Sequence, residues 1–191
     1  MDLTSTVRSD SLQGVGSVLV PGAVASLPYV ALVWGPPHDL KGFVDANQGA
    51  ATAVAAVLLV AVGLLVESVG SYVEYYVIDT RHADRAAMLD RWREYLRIAW
   101  KTEPIGQHYL RRILPIFKFE LNLLVATVVT LPGIGLLAYY QVFPIYTLLA
   151  IGAGVVVLAS YMYRASVDSS FLLADLRRDL VTQARTSGEL K

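Results

Sequence analysis

Residues 50–80 read AATAVAAVLLVAVGLLVESVGSYVEYYVIDT and hold the longest apolar run in the chain. Between 50 and 66 the sole polar side chain is Thr52. A helix rises about 1.5 Å per residue and needs about 20 residues to cross a bilayer core, so this stretch predicts a membrane span over about residues 50–78. The pattern continues without a break into Glu67, Ser68, Gly70, Ser71 and Glu74. Gly63, Glu67, Gly70 and Glu74 are four, three and four apart and therefore share one helix face. Carboxylates near membrane depth are costly alone, so that face calls for a partner.

The whole composition agrees with a lipid setting. Apolar residues make up 55% of the 191, more than an ordinary soluble domain needs. Lys plus Arg equals Asp plus Glu at 16 each, so no global charge recruits nucleic acid. Cysteine is absent, which excludes disulfides, thiolate nucleophiles and zinc-thiolate sites.

Working outward, residues 1–16 are polar and predict a loose cytoplasmic lead. Residues 17–34, SVLVPGAVASLPYVALVW, form a first span that Pro21 and Pro28 would kink. A signal peptide fits less well, because the flank is barely basic, the apolar run is long, and no small-x-small cleavage pattern follows. Residues 35–48 form an outer loop whose only basic residue is Lys41. Residues 81–118, in contrast, carry nine of the 16 basic residues, which places this insert on the cytoplasmic side. Within it, residues 84–101 make an amphipathic helix with a Met88, Trp92, Tyr95 stripe, a surface for a cytoplasmic protein partner. Glu103 and Pro104 predict a stop. Residues 107–119 then suit a helix in the headgroup layer, bent into the membrane at Pro115.

A third span over about residues 120–140 is broken at 131–135, where Pro132 and Gly133 could act as a hinge. A fourth, over 143–163, follows so closely that the two form a tight hairpin. In the tail, 164–191, Asp168 is the expected N-cap of a last helix. These pieces predict an all-α, polytopic, four-span bundle with a cytoplasmic insert at 80–118 and both termini cytoplasmic.

The candidate chemistry is an intramembrane polar cluster of Glu67, Ser71, Glu74, Glu120 and Asn122. Its bland reading is a set of ion pairs in which Glu67 and Glu120 meet Arg111, Arg112 or Lys118, residues that could equally hold anionic headgroups. The functional reading is a carboxylate ring at the mouth of an oligomeric pore. Metal binding by Glu67, Glu74, Glu120 and His108 lacks the Glu-x-x-His spacing of bundle sites. His38, His82 and His108 sit in no catalytic motif, and no catalytic residue, cofactor or metal is expected. Gly63 with Gly70, and Ala150 with Gly154, permit close helix approach, either within the chain or between copies. The resulting expectation is a non-enzymatic membrane protein that forms a homo-oligomer, with a pore controlled from its cytoplasmic helices. A membrane-embedded enzyme or transporter using the same carboxylates, and a partner subunit or scaffold of a larger complex, are the alternatives.

Overall fold

Four segments of this chain stay apolar for longer than a bilayer is thick, and the architecture follows from pairing them. The computed structural model describes residues 3–34, 40–81, 85–98 and 105–187. In chain order the helices are α1 (Leu3–Trp34), α2 (Leu40–Ala46), α3 (Gln48–Val73), α4 (Arg85–Tyr95), α5 (Ile105–Tyr139) and α6 (Ile145–Ser187). The end of α3 continues as a π turn over Glu74–Ile78 and a 3-10 turn over Asp79–Arg81. Helices α1, α3, α5 and α6 are each long and apolar enough to cross a membrane.

Helix α5 is the axis. Of its apolar window 56% is buried, against 22% for α1, 11% for α3 and 6% for α6. It packs against α1, α3 and α6, and α1 also lies on α3. With 35 and 43 residues, α5 and α6 are about 52 and 64 Å long at 1.5 Å per residue. Both overrun a hydrocarbon core of about 30 Å. The excess lies at one end, here termed the charged end, where Ile78, Leu110, Ile113, Phe117, Leu121, Leu173 and Leu180 form the largest buried cluster. At the opposite end Ile134, Leu137 and Leu148 close the α5–α6 hairpin, whose turn residue Gln141 takes a left-handed φ of 52°.

Several local expectations differ from this architecture. Helix α1 begins at Leu3 rather than near residue 17. Residues 105–119 form no separate headgroup helix: α5 runs through Pro115 and Pro132 without interruption. Asp168 caps nothing, because it lies inside α6. At Pro115, Pro132 and Asp168 the breaker or cap signal was local, whereas packing of α5 against α6 and α1 holds the backbone helical through it. A proline in a helix forfeits one hydrogen bond, and packing along the rest of a long helix outweighs that loss. The expected stop at Glu103 and Pro104, and His38 and His82, lie outside the described residues.

Candidate functional site

Two polar side chains of α5, Asn122 and Thr130, face the prolines of α1. Pro21 has no N–H to give the carbonyl of Ser17, four residues earlier, and Pro28 likewise frees the carbonyl of Val24. Helix α5 answers both carbonyls: Asn122 Nδ2 donates to the Ser17 oxygen at 3.1 Å, and the Thr130 hydroxyl shares its one proton between the Ala126 oxygen of its own helix at 2.8 Å and the Val24 oxygen at 3.1 Å. The prolines are seven apart and their partners eight apart, which is one register for two parallel helices. In return Tyr29 donates its hydroxyl to the carbonyl of Val129 at 2.9 Å, one residue from the carbonyl that Pro132 frees. Buried away from water, freed carbonyls need protein partners, and the α1–α5 seam supplies them.

Close packing fixes the seam. A Cβ added at Gly63 would lie 2.5 Å from the Val18 carbonyl oxygen, and one at Gly22 would lie 2.6 Å from that of Leu59. One at Gly70 would lie 2.5 Å from Asn122 Oδ1. That oxygen is buried without a hydrogen-bond partner and occupies the space a side chain at position 70 would need. Pro28 is seated on Gly133 in the same manner, its Cγ 2.6 Å from where a Cβ would be. The space around Pro132 and Gly133 is therefore filled on the α1 side.

At the charged end the carboxylates divide among separate neighbours. Lys118 donates to Glu74 in a half-buried ion pair joining α5 to the π turn. Ser169 of α6 donates to Glu120 at 2.8 Å. Arg177 lies 4.2 Å over the ring of Trp92, which stacks on Tyr95. Burial pulls the Arg177 guanidinium below its ordinary pKa, while Glu74, Asp79 and Tyr95 oppose that shift; a guanidinium stays charged regardless. Arg185 holds both oxygens of Glu94 at 2.6 and 2.8 Å. Together Arg177 and Arg185 pin α4 to α6.

The predicted cluster is thus dispersed. Asn122 belongs to the seam with Gly63 and Gly70. Glu74 pairs with Lys118, and Glu120 takes Ser169 rather than an arginine. Glu67 is half-buried and Ser71 exposed; neither makes a hydrogen bond or ion pair among the described residues. Arg111, Arg112 and His108 are exposed on α5. No group of three or more His, Asp or Glu side chains gathers as a metal site among the described residues. The stripe at Met88, Trp92 and Tyr95 is half-buried, and its two rings meet α6 of the same chain. Ala150 and Gly154 lie exposed on α6, with no atom within 4 Å of a Cβ at Gly154.

Sequence reasoning missed Ser17, Thr130, Tyr29, Ser169 and Arg177. The matched spacing of Pro21 and Pro28 with Asn122 and Thr130 was the signal for the first two. Set against known protein families, curated proteins and solved structures, the chain matches none.

Proposed function

We propose that this chain is a non-enzymatic multi-pass membrane protein that self-associates through the outer face of α6, with its charged end in the cytoplasm. The basic residues concentrated at that end support the orientation. One observation carries the assembly: along its membrane half the face of α6 turned away from α5 is bare. Ala150, Gly154 and Val157, spaced four and three apart, are all exposed and lie on one face. Lipid tails gain nothing from small residues, whereas a second helix does, because its backbone can come close. The chain uses the same chemistry internally, where Gly22 and Gly63 let α1 and α3 touch. The ion-conducting form of this reading rests on Glu67, since Glu74 is already neutralised by Lys118.

Gly154→Ile tests the assembly. Nothing lies within 4 Å of the added Cβ, so the fold of one chain is untouched while close helix approach is blocked. The purified wild type should run as a defined oligomer by light scattering, and the variant as a monomer with an unchanged melting temperature. A monomeric wild type, or an oligomer indifferent to the substitution, refutes the proposal.

A further inference from the structure

The bare face of α6 does not stop at the membrane half. Continuing in steps of three and four, it passes through Tyr161 and Arg164 to Asp168, Leu172, Asp175 and Asp179, all exposed, so beyond Arg164 an apolar and small face becomes an acidic one. On α5 the residues exposed at the charged end are Ile105, His108, Tyr109, Arg111, Arg112 and Ile116, of which Tyr109, Arg112 and Ile116, three and four apart, form one stripe with a cation at its centre.

Among the described residues no ion pair joins these two stripes within one chain. Helix α5 turns Leu110, Ile113 and Phe117 into the buried cluster it shares with Leu173 and Leu180 of α6; Tyr109 and Ile116 flank that buried face and Arg112 is turned about 100° from Ile113, all three exposed. Helix α6 turns Ser169, Leu173 and Leu180 toward α5, and Leu172, Asp175 and Asp179 lie opposite.

Their depths, however, coincide. The Glu120–Ser169 hydrogen bond sets the two helices level. Counting 1.5 Å per residue from there, Arg112 is about 12 Å further out, between Asp175 at about 9 Å and Asp179 at about 15 Å. Ile116 at about 6 Å matches Leu172 at about 4.5 Å. Copies related by an axis along the membrane normal keep equal depths, so the cation of one chain falls between two carboxylates of the next, with apolar side chains beside them.

We infer that the charged end carries a charge-complementary interface between copies of this chain, in which Tyr109, Arg112 and Ile116 of one receive Leu172, Asp175 and Asp179 of the other. The inference rests on the self-association proposed above and extends it from the membrane half of α6 to its full length. It also assigns orientation: unlike charges on two different helices select the neighbour's α5, not a second α6.

The absence of cysteine makes the test clean. Two differently tagged full-length chains, one with Arg112→Cys and one with Asp175→Cys, are co-expressed and oxidised in native membranes. A disulfide between the tags is expected. Pairing Arg112→Cys with Asp168→Cys, about 13 Å away in depth, should give far less. A 112–175 product no stronger than the 112–168 control overturns the interface. If Gly154→Ile still dissociates the oligomer in that case, assembly stands and only this interface falls; if tagged copies never co-purify, the assembly itself is lost. As a second measurement, Arg112→Asp should lower co-purification of the two tags about three- to fivefold, and Asp175→Arg in the same chain should restore it. Should Arg112→Asp leave co-purification intact and instead weaken binding to phosphatidylserine vesicles, Arg112 is a headgroup ligand and the inference is refuted.

Discussion

Asn122 offers the sharpest test of the α1–α5 seam. Its amide supplies the hydrogen bond that Pro21 denies to the Ser17 carbonyl, so the two residues should be energetically coupled although they are not in hydrogen bond with one another. Asn122→Ala removes the donor and leaves a buried carbonyl unmet. Such a loss costs about 1–3 kcal/mol in general, and side-chain hydrogen bonds between membrane helices average about 0.6 kcal/mol with a maximum near 1.7. An added cost comes from the cavity, because Asn122 is only 1% exposed. Pro21→Ala restores an N–H that can close the helical bond to Ser17, making Asn122 dispensable as a donor. The cavity cost is common to both backgrounds and cancels in a double-mutant cycle. The expected coupling is therefore about 1 kcal/mol, with Asn122→Ala milder in the Pro21→Ala protein. Unfolding in mixed micelles by titration with a denaturing detergent, followed by circular dichroism, measures it. Equal costs of Asn122→Ala in the two backgrounds would show that the amide does not serve the proline, and the account of the seam would have to be given up.

Two further outcomes follow from the packing. Gly63→Ala places a Cβ 2.5 Å from the Val18 carbonyl oxygen and must push α1 from α3, so it should lower stability by about 1–3 kcal/mol in the same titration; a neutral result contradicts the close approach. Arg177→Lys keeps the charge but loses the planar group 4.2 Å from the Trp92 ring centroid, which is worth about 1 kcal/mol. It should loosen α4 and change Trp92 fluorescence without altering assembly, and an unchanged spectrum would mean that the stacking holds nothing in place.

The carboxylates show how far a sequence pattern carries. Glu67 and Glu74 fall on one helix face whatever surrounds them, because the 3.6-residue period is a local property of the backbone. Which group each meets is another matter. Glu74 found Lys118, 44 residues away, and Glu120 found Ser169, because α5 and α6 extend straight past the spans and bring those depths level. Local signals pointed to a bend at Pro115, a break at Pro132 and a helix start at Asp168, and all three residues lie inside uninterrupted helices.

From residues alone came four apolar helices and the uneven spread of charge, since run length and hydropathy are summed along the chain and need no knowledge of neighbours. Tertiary structure alone decided that α5 is the axis, that the outer face of α6 is left bare, and that Asn122 and Thr130 answer the prolines of α1. Those outcomes depend on the relative register of helices separated by about a hundred residues, and register is set by how their surfaces interlock, a property no single segment contains.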